Sequence, residues 1–158
     1  MSTDNYLQIM KQSLEKKRDI LKKLIALNDE QSNIIGAAEF DSAAFQTNID
    51  SKDMLVSELL KMDEGFTSLF NRVKEQLLEN KTQYSSEIKA MQQLIREVTE
   101  LGVKVEAQEA RNKSVVEERF RSMRKEVQNA KRSTQMANAY YKNMNKLSTE
   151  PQFMDKKK

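Results

Sequence analysis

The residues that usually carry catalysis are either missing from this sequence or scattered through it. Its 158 residues include no His and no Cys. That removes the commonest general base, the commonest metal ligand and every thiolate nucleophile. Asp and Glu number 24, but their spacing places them in exposed helical phases. Paired carboxylates do acid–base work only in a dry concave site that separates their pKa values. With no Trp, three Gly and one Pro, the composition offers neither such a pocket nor a Gly-rich phosphate loop. The expectation is no enzyme, no metal site and no cofactor.

Three other groups of residues could act by binding. Arg119, Arg121, Arg124, Lys125, Lys131 and Arg132 could meet phosphates. Glu117, Glu118 and Glu126 are interleaved with them, however, and no aromatic platform accompanies the charges. That pattern favours a solvated helix face with pairs three and four residues apart, and not a nucleic-acid partner. The nine Met residues, Met54, Met62, Met91, Met123, Met136 and Met144 among them, suit either an adaptable groove or ordinary core filling. Tyr140 and Tyr141 sit side by side in a polar stretch. If exposed they are anchors for a partner, because Tyr offers a large contact area with little entropy to lose. If the chain folds back over them they are end packing.

The elements that hold these residues are helices. Charged residues make up 32% and aromatics 6% of the chain, which supports a thin bundle of facing apolar stripes. Ser2, Thr3 or Asp4 can cap a first helix, whose stripe is Leu7, Met10, Leu14, Leu21, Leu24 and Ile35, widened by Ile20, Leu27 and Ile34. Gly36 is its expected stop. After a break at 37–40, Asp41 or Ser42 caps a second helix with Phe45, Ile49, Val56, Leu59 and Leu60 on one face. Lys52 occupies a step where an apolar residue is expected. Gly65 is a place for this helix to bend or end, and Phe66, Leu69, Phe70, Val73, Leu77 and Leu78 then centre the core.

A second break at Asn80-Lys81-Thr82 leads into a helix from Thr82 to Asn143, about 90 Å long at about 1.5 Å per residue. Its stripe is Tyr84, Ile88, Met91, Ile95, Val98, Val105, Val116 and Met123, with Leu94 and Leu101 alongside and Gly102 within. Beyond Val105 the stripe decays, with Glu109, Asn112, Arg119 and Glu126 at steps that were apolar earlier. The expected fold is all-α: an extended antiparallel helical bundle or hairpin with a long C-terminal helix. Residues 1–149 form one domain and 150–158 a flexible basic tail.

No stretch approaches the roughly 18 apolar residues of a membrane-spanning helix, and Met1 is followed by the polar run Ser2-Thr3-Asp4-Asn5. These features predict a cytoplasmic chain without stable membrane insertion. Residues 1–80 carry 10 basic and 14 acidic side chains, net −4, and residues 81–158 carry 17 and 10, net +7. Halves of opposite sign can pair with each other or with different partners.

The order of features resembles the FlgN-type flagellar type III export chaperones. The residues that carry the resemblance are Leu7, Leu14, Leu21 and Leu24, then Phe45-x3-Ile49-x2-Lys52-x2-Leu55-x3-Leu59-x3-Asp63-x2-Phe66. A long, increasingly polar helix follows, with an end running from Tyr141-Lys142-x-Met144 to Gln152-Phe153-Met154-Asp155-Lys156-Lys157-Lys158. The resemblance implies a cytoplasmic helical chaperone that binds disordered terminal segments of hook-associated (hook–filament junction) proteins and delivers them to the export apparatus. It also implies a tyrosine near the C-terminus that docks on the export gate, a place Tyr140 or Tyr141 could take. Lys142 stands where small residues follow that tyrosine in the family.

An amphipathic cargo segment fits an unfilled helix stripe by helix-in-groove packing. Leu94, Ile95, Val98, Leu101, Val105 and Val116, continuing to Met123, are the expected groove. A single neighbour, residues 41–79, cannot cover the stripe of the long helix. A homodimer in the absence of cargo is therefore expected, although a folded-back first helix could serve as well. The alternative from another class is a coiled-coil structural adaptor with no export role.

Overall fold

The computed structural model describes residues 2–147, and the side chains of residues 2–143. Three helices account for them: α1 over Thr3–Gly36, α2 over Ser42–Glu79 and α3 over Ser85–Leu147. The Ser2 hydroxyl accepts from the Asn5 N–H at the start of α1, satisfying one of the four amides that a helix leaves open. Asp41 does the same for Ala44 at 3.0 Å at the start of α2. At its end the Asn80 N–H returns to the Gln76 carbonyl. Gly36 is the last residue of α1, where the sequence predicts the stop. It does not take the left-handed φ that makes Gly a favoured helix end, and Ala37 leaves the helix in extended backbone. Gly65 neither ends nor interrupts α2, and α3 runs through Gly102. A helical Gly costs about 1 kcal/mol relative to Ala, less than the packing on either side of it supplies. The tail expected at 150–158 lies outside the described residues.

The chain divides into two compact units, Met1–Ser114 and Val115–Lys158. In the first, α2 runs antiparallel to α1: Tyr6 meets Arg72, Lys17 meets Asp63 and Gln31 meets Asn48. The beginning of α3 runs parallel to α1, with Arg18 beside Glu97 and Asn28 beside Gln108. It is antiparallel to α2, with Lys52 beside Glu109. The result is an up–down–up bundle. Leu7, Met10, Leu14, Val73, Leu77, Met91 and Leu94 form one apolar cluster near the α2–α3 connection. Ile20, Leu21, Leu24 and Val98 form a second, nearer the middle. Each such side chain contributes about 1.5–3 kcal/mol on burial. The cover for α3 comes from α1 as well as α2, which removes the reason for sheltering Leu94–Val105 in a homodimer.

Toward the α1–α2 connection the interior becomes a layer of carboxamides. Asn28, Gln31, Asn48, Gln108 and Asn112 are all buried. Asn28 Nδ2 donates to Gln108 Oε1, and Gln108 Nε2 donates to the Ile25 carbonyl and Asp29. Gln31 Nε2 donates to Asn48 Oδ1, while Asn48 Nδ2 donates to the Leu27 carbonyl and Glu30. Asn112 Nδ2 closes the layer on the Asn28 carbonyl and Gln31 Oε1. The decay of the α3 stripe past Val105 is thus a change of chemistry rather than an end of burial, since Gln108 and Asn112 face inward. Lys52 is also buried, with its ammonium 2.6 Å from Glu109 Oε1.

The second unit is described by the rest of α3. Val116, Phe120 and Met123 are half-buried, and every side chain from Arg124 to Asn143 is exposed.

Candidate partner-binding site

The expected cargo stripe does not form one surface. Leu94 and Val98 are buried in the two apolar clusters, and Leu101 and Val105 pack against the second. These four are therefore core residues of the bundle and present no open groove. The periodicity identified an apolar face correctly, but α1 fills it. Ile95 lies one residue off that face and is 44% exposed. Val116 and Met123 belong to the second unit. There Met123 joins Phe120 and Val127 around a shallow depression edged by Arg124 and Lys131.

Ile95 instead opens onto a trough between α2 and α3 whose lining includes no α1 residue. Its floor is Leu77 and Met91, shared with the core, and its walls include Phe70, Leu78, Ile88 and Ile95. The trough encloses about 620 Å³, within the range of small-molecule and peptide-side-chain pockets. Lys74, Lys81 and Lys89 stand on its rim, and no carboxylate lines it. The sequence marked 66–78 as the most apolar segment but assigned all of it to the core. Leu78 misses the core because it sits about 100° around α2 from buried Leu77, whereas Phe70 lies only about 20° from Leu77, at the edge of the covered arc.

Tyr140 and Tyr141 are 59% and 54% exposed. Their rings meet edge to face, with centroids 5.5 Å apart, a favourable aromatic geometry that makes one composite apolar surface of the two. The end-packing alternative finds no support in this exposure. Among the described residues no group of three or more Asp or Glu could hold a metal ion. Among them, too, no helix is long and apolar enough to cross a membrane. What the surface offers chemically is apolar contact, edged by cations, on a helical platform. No family model matches this chain, and neither a curated protein nor a solved structure matches it.

Proposed function

We propose that this chain is a cytoplasmic export chaperone of the FlgN type. It captures an amphipathic terminal segment of a hook–filament junction protein and hands it to the flagellar export apparatus. The observation that carries this reading is the open apolar trough, with Phe70, Leu78 and Ile95 exposed together on one flank of the bundle. Contiguous exposed apolar surface on a folded chain marks a place where another chain binds, and a trough between two helices suits an amphipathic helix. Capture is assigned to Ile95 and the trough, with Val116 and Met123 as a separate contact. Tyr140 and Tyr141 serve as the docking handle. The test is titration of the full chain with labelled C-terminal peptides of hook–filament junction proteins. Saturable binding that Ile95→Glu weakens at least tenfold supports the reading, and no binding at about 100 μM to any such peptide refutes it.

One observation favours the adaptor instead. Val116, Phe120, Met123, Val127, Ala130, Thr134, Ala137 and Tyr141 follow one another at steps of four and three, the spacing of a coiled-coil seam. An obligate oligomer through this segment that survives nanomolar dilution and ignores cargo peptides selects that reading.

A further inference from the structure

The trough between α2 and α3 is apolar within and cationic at its edge. Phe70 and Leu78 of α2 and Ile95 of α3 are 43%, 65% and 44% exposed along it. Lys74 on α2, Lys81 in the turn after α2 and Lys89 on α3 supply the edge, and all three are exposed. Cations elsewhere between the helices are paired: Lys17 with Asp63, Arg18 with Glu97 and Lys52 with Glu109. Among the described residues, Lys74, Lys81 and Lys89 have no such carboxylate, and none lines the trough.

The length and charge of the trough constrain what can lie in it. Phe70 to Leu78 covers about 12 Å of α2, which matches two to three turns of a guest helix. Such a guest meets Phe70, Leu78 and Ile95 with apolar residues at steps of three and four. The trough is open to solvent, so the guest keeps its polar back in water. Residues beside the guest's apolar stripe come to the edges, where the lysines stand. A basic flank is repelled there and a neutral flank leaves the lysines unpaired, whereas an acidic flank gives each lysine a carboxylate.

We infer that the trough selects a short amphipathic helix whose apolar face is flanked by Asp or Glu, with Lys74, Lys81 and Lys89 reading those carboxylates. This rests on the trough being the capture site of the proposed function, and it names the chemistry of the captured segment. The apolar walls supply contact area, and the lysines choose among helices of similar apolarity. Charges at an exposed rim act on encounter rate and specificity more than on total affinity, and salt screens them. A segment with the same apolar residues but a basic flank is rejected by like charge.

The test uses the full chain and three designed peptides of about 12 residues that share Leu at steps of three and four. Their flanking positions are Glu, Gln or Lys, and their helicities are matched by circular dichroism. The Glu peptide should bind about tenfold more tightly than the Gln peptide, as three exposed pairs together allow, and the Lys peptide most weakly. Lys74→Gln, Lys81→Gln and Lys89→Gln together should erase that preference without lowering Tm, because these side chains are exposed. Equal binding of the three peptides overturns the inference, as does a preference that survives in the triple variant. No binding of the Glu peptide at about 100 μM overturns it too. Tighter binding of dodecanoate than of the Glu peptide would assign the trough to a lipid-like anion, and a dimer that Ile95→Glu dissociates would assign it to a second copy; either overturns the inference. The two readings fail separately: if junction-protein peptides bind through Ile95 but the three designed peptides bind alike, capture stands and the selection falls.

Discussion

Asn112 donates its side-chain amide to Gln31 Oε1 across 3.1 Å, inside the bundle, where each residue is 4% exposed. Asn112→Ala leaves that acceptor unpaired away from water and removes the second, side-chain bond to the Asn28 carbonyl, which keeps its place in the α1 backbone ladder. Its expected cost is about 1–3 kcal/mol, at about 2–4 °C in Tm per kcal/mol for a chain of this size. Asn138→Ala, on the exposed part of α3, should leave the thermal midpoint within about 1 °C. Equal midpoints for the two variants would show the amide layer to be wet.

Lys52 and Glu109 form a thermodynamic cycle. Glu109→Ala strands a buried ammonium, whereas the pair Lys52→Met with Glu109→Leu removes both charges. Breaking a buried pair costs more than replacing it, so the double variant should be the more stable of the two in urea titrations. The reverse order would mean that Lys52 reaches water without Glu109.

Val98 and Ile95 stand three residues apart with opposite surroundings. Val98→Glu places a carboxylate in the cluster of Ile20, Leu21 and Leu24 and should cost more than about 3 kcal/mol or unfold the bundle. Ile95→Glu changes a half-exposed wall of the trough and should melt within about 3 °C of the parent. Circular dichroism melts separate the two, and similar losses would place Ile95 in the core.

Gly65→Ala and Gly102→Ala each add a methyl group where no atom lies within 4 Å. Both glycines are helical, and neither has positive φ. Each substitution should stabilise by up to about 1 kcal/mol, a rise of about 2–4 °C. If either variant melts higher but loses partner binding, that glycine is a hinge rather than a tolerated defect.

Replacing Tyr140 and Tyr141 together by Ala should leave Tm unchanged, because exposed side chains contribute little to folding. The same variant should bind an export-gate receptor more weakly by about 2 kcal/mol or more, as expected of paired aromatic hot spots, while cargo peptides bind as before. A lower Tm together with lost cargo binding would make the tyrosines packing residues.

Helix number, the caps at Ser2 and Asp41, and the apolar faces of all three helices were legible because local hydrogen bonding and period-3.6 patterning decide them. Which side of a wide face is covered was not legible. Leu94 and Val98 differ from Ile95 and Phe70 only in where α1 lies, and that depends on the direction of α1 relative to α3. The amide layer was invisible for a different reason. Asn28, Gln31, Asn48, Gln108 and Asn112 have the composition of a solvated surface, and only three-dimensional pairing makes them interior. Their positions at core-phase steps, Asn112 seven residues beyond Val105, were the available clue. Lys52 carried the same clue, flagged as a polar residue on an apolar step.

The interior of the first unit has hydrocarbon at one end and carboxamide at the other, and the two respond differently to temperature. Exposing apolar surface raises heat capacity and exposing polar surface lowers it, so the two ends contribute with opposite sign when the bundle opens. Cooling weakens the contacts among Leu7, Met10, Val73 and Met91, while the bonds among Asn28, Gln31, Asn48 and Asn112 lack that apolar heat-capacity increment. Near freezing, amide protons in the first turns of α1 should therefore exchange relatively faster than those around Asn28, and on warming the difference should narrow or invert. The bundle has a cold-sensitive end beside the α2–α3 connection and a cold-tolerant end beside the α1–α2 connection.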